Sequence, residues 1–294
     1  MRCAGKGEGS RAGNRGFDRV RFRRVRVLLP FREMKIAFVV AVCERDLGFA
    51  PTFVESFTRS LQGVLEPRFF WATDDGEKLD GLEGEVIGAT NWKAGGFKRA
   101  SSVAKCLLSA AEITGAEFVA KMDVDVIHNG SRWLQPLLQE GAANAPRTRG
   151  KLAAFGCQHS LDSGALYGMA YAIQRDLLAK IPAALEALLE KKAHRLLRAE
   201  DLAIGHAARN LAPNRFHVWP IREADNLPRL FCAFSDKAEA EEFKPFDFIH
   251  CGVSPKNQRV KDARNAALLW DYLRENSTPN RWDFSQKFSA EPWI

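Results

Sequence analysis

The chain has 294 residues, of which 46% are hydrophobic and 27% charged, a length and composition that allow one large domain or two small ones with a sizeable core. No run of about 18 apolar residues occurs, so we expect no membrane-spanning helix. The six cysteines are scattered and form no Cys-x-x-Cys pair, which predicts reduced thiols in a cytosolic protein rather than a disulfide framework or a zinc site.

The net charge of +7 belongs to the N-terminal extension, residues 1–33. This segment holds nine Arg and one Lys against three acidic residues, which leaves residues 34–294 formally neutral. Its Gly- and Arg-rich composition is typical of a disordered extension. Three interpretations are open: a tether to nucleic acid or an anionic membrane, a targeting peptide, and an over-extended start with Met34 as the natural first residue. The absence of an apolar signal core argues against a targeting peptide. Because Met34 stands just before the first predicted strand, we favour the over-extended start and expect residues 1–33 to be dispensable.

The segment that follows alternates predicted strands and helices. Strands are predicted at 35–42, 68–72, about 85–87 and 117–122, and helices at 50–65 and 100–114. This alternation predicts an α/β fold with a largely parallel sheet and helices on both faces, in which ligands bind beyond the carboxyl ends of the strands. The carboxylates that follow predicted strand ends are Asp74, Asp75, Asp123 and Asp125.

A polar break at 144–150 separates this region from the second half. Further strands are predicted at 151–156 and 168–173, with helices starting at Arg175 and covering 183–197. We find no internal repeat and therefore treat residues 34–294 as a single domain.

The most informative segment is Val-Ala-Lys-Met-Asp-Val-Asp-Val at 119–126. Asp123 and Asp125 stand two residues apart at a predicted strand end, where side chains i and i+2 point the same way. Two carboxylates on one side repel each other unless a cation lies between them, and Mg²⁺ or Mn²⁺ favours such oxygen ligands. An isolated Asp-x-Asp is more often a pair of solvated aspartates, so its interpretation depends on two later segments.

The first of these is Arg-Ala-Glu-Asp-Leu-Ala-Ile-Gly at 198–205. Glu200 and Asp201 precede apolar residues at helical spacing, and acids at this position are favoured by the helix dipole. The positive end of the helix is expected to keep the pKa of Asp201 near or below the usual value of about 3.9.

The second is Phe-Asp-Phe-Ile-His-Cys-Gly at 246–252, in which His250 follows an apolar, strand-like run. A lone histidine in such a place is usually structural. Next to two acidic motifs it becomes a candidate metal ligand, and a mixed carboxylate–imidazole shell suits Mn²⁺. His128, three residues after Asp125, is the competing histidine.

Taken in this order, the Asp123-Val124-Asp125, Glu200-Asp201 and His250 motifs resemble those of metal-dependent glycosyltransferases of the GT-A fold. The similarity is greatest to inverting galactosyl- and N-acetylglucosaminyltransferases, in which Glu-Asp-Val-x-x-Gly starts a helix. It covers about residues 35–255 and implies a Rossmann-like α/β domain with a mostly parallel central sheet flanked by helices and a smaller acceptor-side sheet. Residues 34–126 would form the nucleotide-binding half and 127–294 the acceptor-side half.

The resemblance also implies roles for these residues. A Mn²⁺ or Mg²⁺ ion would be held by Asp123, Asp125 and His250. Asp125 is the first choice for direct ligation, and Asp123 would touch the ribose or reach the metal through water. Asp201 would be the general base, while Glu200 would orient the acceptor or cap the helix.

Further residues are candidates for substrate binding. Arg45 lies in the loop after the first strand and can meet the base or the phosphate, and Asp74 or Asp75 can read the uracil or ribose of a uridine nucleotide. Lys98 and Arg99 open a helix, where they contact phosphate or are simply solvated. Gly168 lies in a small-residue strand that resembles the one beneath the donor sugar, where a glycine admits the sugar; a core-strand glycine is the alternative.

These expectations describe an inverting transferase that moves a sugar from a nucleotide-diphosphate donor, a UDP-sugar, to a hydroxyl group of a glycan acceptor. A sugar-phosphate nucleotidyltransferase is disfavoured because residues 43–48 lack its Gly-rich signature. A nucleic-acid-binding protein is disfavoured because the body of the chain is neutral, so no stable nucleic-acid partner is expected. The expected location is cytoplasmic, with peripheral association at the inner face of the membrane as an option.

Overall fold

The computed structural model describes residues 36–94, 96–134, 137, 152–159, 162–191, 195–219, 231–233, 239–251 and 262–281. The basic extension at 1–33 and the polar break at 144–150 lie outside the described residues. The strands, in chain order, are β1 (Ile36–Ala41), β2 (Arg68–Thr73), β3 (Val86–Ala89), β4 (Phe118–Asp123), β5 (Val126–His128), β6 (Ala154–His159), β7 (Asp162–Gln174), β8 (Phe216–Trp219), β9 (Phe231–Ala233) and β10 (Phe248–His250). The α-helices are α1 (Ala50–Leu61), α2 (Gly96–Thr114), α3 (Arg175–Leu178), α4 (Ile181–Glu190), α5 (Glu200–Leu211) and α6 (Ala263–Asn276).

Seven strands form a central sheet in the order β3-β2-β1-β4-β7-β6-β8. β1 pairs in parallel with β2 and β4, and β2 with β3, so four strands bring their carboxyl ends to one edge. β7 is antiparallel to β4 and β6, while β8 is parallel to β6. A smaller sheet has the order β5-β10-β9. This architecture confirms the predicted α/β class, with its mostly parallel central sheet and a smaller second sheet.

Successive residues of the central strands face two hydrophobic cores, one on each side of the sheet. Along β1, Phe38 and Val40 belong to the core that packs against α1 and α6, whereas Val39 belongs to the core that packs against α2, α4 and α5. Leu107 of α2 and Ile204 of α5 are fully buried in the second core. The sheet is therefore covered by helices on both faces, as the alternation of elements predicts.

Several helix boundaries differ from the prediction. The helix predicted at 50–65 ends at Leu61 because Gln62, with a ψ of 119°, leaves the helical region. The helix predicted at 183–197 is shorter and ends at Glu190. Among the described residues no helix is both long and apolar enough to cross a membrane.

The helix predicted at 100–114 begins earlier, at Gly96, where α2 contacts the turn that leads into α5. A Cβ atom at Gly96 would lie 1.6 Å from the carbonyl oxygen of Leu197, so only glycine fits this contact. Leu197 belongs to a 3₁₀ turn, Leu196–Arg198, that ends just before α5. Lys98 and Arg99 therefore lie within the first turn of α2.

The described thiols agree with the prediction of reduced cysteines. Cys43, Cys106 and Cys251 are buried, and Cys43 and Cys106 are free thiols. Burial raises the pKa of Cys43, which also hydrogen-bonds to Asp46, and that of Cys106, each to about 11. The thiols of Cys43 and Cys106 are therefore uncharged at neutral pH.

Candidate functional site

A charged pair lies on the face of β4 that looks toward α5. Val119 belongs to the core on that side, and Lys121 and Asp123 follow it at two-residue spacing on the same face of the strand. The Lys121 ammonium contacts the Asp123 carboxylate and lies 3.3 Å from Oε1 of Glu200. It also donates a hydrogen bond of 2.7 Å to the carbonyl oxygen of Gly168. Lys121 thus joins three of the predicted site residues.

Lys121 was not among the predicted site residues. The signal was nevertheless present, because a charged residue interrupts the otherwise apolar run Phe-Val-Ala-Lys-Met at 118–122. Burial alone would lower the pKa of Lys121, but Asp123, Glu200 and Asp201 raise it above its usual value. Lys121 is therefore a permanent cation within the carboxylate cluster.

Glu200 and Asp201 start α5, as predicted, and both side chains are buried. The two carboxylate oxygens of Asp201 accept backbone N–H groups: Oδ1 from Leu202 and Oδ2 from Gly168, each at 2.8 Å. The hydroxyl group of Tyr171 lies 3.4 Å from Oε1 of Glu200 and donates to it. These contacts fix the orientation of both carboxylates.

The prediction for the pKa of Asp201 is wrong. Burial raises the pKa of this carboxyl group, and the opposing effects of Lys121 and of the backbone donors Leu202 and Gly168 do not cancel it. Burial likewise raises the pKa of Glu200, although Lys121 and Arg99 lower it. Asp201 does lie at a helix start, as predicted, but its burial determines the direction in which its pKa shifts.

Asp125 and His250 meet because the small sheet pairs β10 with β5. This register puts His250 opposite Val126, the residue after Asp125. Oδ2 of Asp125 lies 3.4 Å from Nε2 of His250, and the backbone N–H of Cys251 donates to the carbonyl oxygen of Asp125 at 2.8 Å. The His250 side chain is 19% exposed, so this pair lies at the margin of the buried cluster.

Asp123 and Asp125 do not share a strand face, because β4 ends at Asp123 and Asp125 lies in the turn before β5. Asp123 instead pairs with Lys121, and burial raises the pKa of Asp123 against the lowering effect of that ammonium. The two carboxylates still interact, since Asp125 contributes to the raised pKa of Asp123.

The donor atoms of Asp125 and His250, a carboxylate oxygen and an imidazole nitrogen, have the chemistry that a divalent ion such as Mn²⁺ takes. Within the described residues no group of three or more His, Cys, Asp or Glu side chains is arranged to hold a metal ion. The Asp125–His250 pair offers two donor atoms of the right chemistry, whereas Asp123 does not complete a preformed three-ligand group with it.

Two arginines of the predicted substrate site lie on the ring of Trp92. The Cζ atom of Arg99 is 3.9 Å from the ring centroid, and Nη2 of Arg99 donates to the Trp92 carbonyl oxygen at 2.9 Å. The Cζ atom of the largely exposed Arg45 is 6.0 Å from the same ring. Trp92 follows β3 and was not predicted, although it stands beside the glycine-containing loop. The three side chains form a cation–aromatic group at the carboxyl end of the sheet.

The other predicted substrate residues have simpler surroundings. Asp74 is half-buried and lies 3.5 Å from the hydroxyl oxygen of Thr90. Asp75 is exposed, and its Oδ1 accepts the backbone N–H of Glu77 at 3.0 Å, which is a turn-forming contact. Lys98 is exposed. Asp74 is therefore partly enclosed at the end of β2, whereas Asp75 and Lys98 are surface residues.

Gly168 lies in β7 with its open side toward the charged cluster. A Cβ atom there would lie 3.2 Å from Oδ2 of Asp201, 3.3 Å from Nζ of Lys121 and 3.4 Å from Oδ2 of Asp123. Any larger side chain would crowd these groups. The absence of a side chain at Gly168 therefore lets these three charged groups approach the β7 backbone, which both the functional and the core-strand interpretation of this glycine allow.

His128, the competing histidine, is a core residue. Its ring is 1% exposed and meets Phe53, Phe57 and Phe248 edge to face, with centroids 5.1 to 5.2 Å apart. Neither ring nitrogen has a hydrogen-bond partner among the described residues, and burial lowers the pKa of His128 to about 3. His128 is therefore neutral at physiological pH and enclosed by aromatic rings.

This burial predicts an acid-sensitive core. Between the unfolded pKa of 6.5 and the folded pKa of about 3, the unfolded chain binds a proton at His128 that the folded chain does not. The free energy of unfolding must then fall as pH falls, by about 2 kcal/mol between pH 6.5 and pH 5. His128→Leu should remove this contribution, measured as a smaller loss of stability than the wild type in denaturant titrations at the two pH values. Equal losses in the two proteins would contradict the assignment.

No sequence-family model matches the chain, and no curated protein matches it in sequence. Among solved structures, the chain is similar to a glycosyltransferase involved in glycosylation of the major capsid of PBCV-1 (15% identity, TM-score 0.47, 82% of this chain and 98% of that one). It is also similar to the galactosyltransferase LgtC in complex with donor and acceptor sugar analogs (14%, 0.48, 82% and 96%) and to the glycosyltransferase GlyE of Streptococcus pneumoniae TIGR4 (13%, 0.46, 81% and 60%). Similarities at this level assign neither a family nor an activity to the chain.

Proposed function

We propose that the chain is an inverting, metal-dependent glycosyltransferase that moves a sugar from a nucleotide-diphosphate donor, a UDP-sugar, to a hydroxyl group of a glycan acceptor. The observation that carries the proposal is the convergence of Asp123, Glu200 and Asp201 on Lys121 next to the Asp125–His250 pair. These residues come from the three motifs whose order in the sequence resembles that of the GT-A transferases. Their contacts in space support the same interpretation.

Transfer of a sugar requires a base for the acceptor hydroxyl group, and Asp201 has suitable surroundings. Its raised pKa makes it a stronger base than a solvated aspartate, while Lys121 and two backbone N–H groups favour its ionised form. Each carboxylate oxygen has two lone pairs, so a backbone hydrogen bond does not prevent it from accepting a proton.

In the proposed step, the acceptor oxygen attacks the anomeric carbon as Asp201 takes up the hydroxyl proton. The bond from that carbon to the diphosphate breaks with its electron pair on the leaving oxygen. Attack opposite the leaving group inverts the anomeric centre. Glu200, ion-paired with Lys121 and hydrogen-bonded by Tyr171, would orient the acceptor beside this base.

The leaving diphosphate needs positive charge. Asp125 and His250 would hold Mn²⁺ or Mg²⁺, which when bound stabilises developing negative charge as a Lewis acid. Arg99, in the first turn of α2, would add a cation and a helix N-terminus for phosphate. The Trp92 ring with Arg45 offers an aromatic surface for the nucleobase, and Asp74 a carboxylate for the uracil or ribose.

A panel of nucleotide sugars tests this function. The melting temperature of the protein is measured with each donor in the presence and absence of Mn²⁺, and donor consumption is followed with glycan acceptors. We expect a UDP-sugar to raise the melting temperature only with Mn²⁺. Release of pyrophosphate from UTP and a sugar phosphate would instead indicate a nucleotidyltransferase, and salt-sensitive RNA binding lost with residues 1–33 a nucleic-acid-binding protein.

A further inference from the structure

Lys121 carries a charge into the interior of the sheet. It is 1% exposed and stands in β4 between the fully buried Ala120 and Met122. An ammonium group is costly to bury unless opposite charges and hydrogen-bond acceptors surround it. A lysine at this position therefore needs a reason beyond packing.

The ammonium group of Lys121 has three oxygen partners in different elements, two reached through hydrogen bonds and the third, Glu200, through an ion pair. These are the carboxylate of Asp123 at the end of β4, the carbonyl oxygen of Gly168 in β7 at 2.7 Å, and Oε1 of Glu200 at the start of α5 at 3.3 Å. The ammonium group thus fixes one carboxylate, one backbone segment and one helix start relative to each other.

The contacts of Lys121 with Gly168 and with Glu200 both connect it to Asp201. The Gly168 residue whose carbonyl oxygen accepts from Lys121 also donates its own N–H to Oδ2 of Asp201 at 2.8 Å. Glu200, the other partner, directly precedes Asp201 in the first turn of α5. Lys121 acts on Asp201 directly through its charge, which lowers the pKa of that carboxyl group, and it acts on the orientation of Asp201 through these two neighbours.

We propose that Lys121 is a positioning residue for the base of the transfer reaction: it holds the Gly168 backbone and Glu200 so that Asp201 keeps one orientation toward the acceptor hydroxyl group. The inference rests on the proposed function. Under this proposal, the Lys121 ammonium group determines the orientation of the Asp201 carboxylate. Asp125 and His250 are not among these partners of Lys121, so their proposed role in metal binding is separate.

The test compares stability with turnover in four proteins: wild type, Lys121→Met, Glu200→Gln and the double variant. Methionine keeps the length of the side chain and removes the ammonium group. Lys121→Met should lower the melting temperature, because it leaves the carboxylates without their counter-ion. The double variant should recover much of that loss, since it removes one carboxylate together with the ammonium group.

Turnover should behave differently. Relative to Glu200→Gln alone, the double variant should show a kcat lower by about 10²-fold with little change in the KM for the donor, because a small displacement of the base is costly. A purely structural lysine would give equal kcat values in these two proteins, and that result would overturn the positioning role. If Lys121→Met does not fold, this kinetic comparison still stands on the double variant.

The outcomes for the two proposals are distinct. A wild-type protein that transfers no sugar from any donor of the panel overturns the proposed function and the role of Lys121 with it. A wild-type transferase whose Lys121→Met variant keeps full turnover overturns only the role of Lys121.

Discussion

Asp201→Asn should lower turnover by about 10²–10⁴-fold while leaving donor affinity nearly unchanged, because it removes the base without touching the donor side of the site. The pKa of Asp201 is raised by burial, so the wild-type rate should also decline toward acid at a higher pH than an ordinary aspartate would give. The measurements are kcat against pH, donor binding by calorimetry, and the anomeric configuration of the product by NMR.

The free energy of unfolding of Asp201→Asn must be measured as a control, because the substitution also changes the hydrogen bonds of this side chain. Asn has one carbonyl oxygen, so it can accept from Leu202 or Gly168 but not through two equivalent oxygens. One backbone N–H then faces the amide nitrogen, at a cost of about 1–3 kcal/mol. Glu200→Gln, the matched neighbour, should have the milder effect on turnover. Full turnover of Asp201→Asn in a folded protein, or a product that retains the donor configuration, would refute the mechanism.

Asp125→Ala should abolish Mn²⁺-dependent binding of the donor, an effect of more than about 100-fold. His250→Ala should have the same consequence, since the two side chains lie 3.4 Å apart and face the same candidate metal position. The fold should survive because the hydrogen bond from Cys251 to Asp125 uses the backbone carbonyl oxygen, which alanine keeps. Mn²⁺ affinity is measured by electron paramagnetic resonance with and without UDP-sugar.

Asp75→Ala provides the matched control for the metal prediction. Asp75 is exposed and caps a turn at the same edge of the sheet, so its loss removes a carboxylate of the same type without touching the Asp125–His250 pair. Mn²⁺ affinity should therefore be retained. Undiminished Mn²⁺-dependent donor binding in Asp125→Ala would show that Asp125 is not a ligand.

The sheet and its flanking helices were accessible from the sequence because they follow from local periodicity. In β1, Phe38 and Val40 face one core and Val39 faces the other, which is the two-residue alternation of a strand covered on both faces. The start of α5 at Glu200 was predicted for the same kind of reason, from acids that precede residues at helical spacing.

The parts of the site that local sequence patterns do not specify depend on contacts between distant segments. The proximity of Asp125 and His250 was expected from the family resemblance alone, because it depends on the register in which β10 pairs with β5. The pKa of Asp201 rises because of a burial depth that only tertiary packing determines. Lys121 combines both kinds of information. Its two-residue spacing from Asp123, which puts both on one face of a strand, was visible in the sequence, but its contact with Glu200, 79 positions later, was not.

The contact at Gly96 has a mechanical consequence. With the Leu197 carbonyl oxygen so close that no Cβ atom fits, the first turn of α2 and the turn before α5 have no room to slide past each other. Arg99 follows Gly96 by three residues and Glu200 follows Leu197 by three, so both charged side chains lie close in sequence to this contact. We therefore expect a displacement of α2 to shift the start of α5 with it, because the two turns are in direct contact at Gly96.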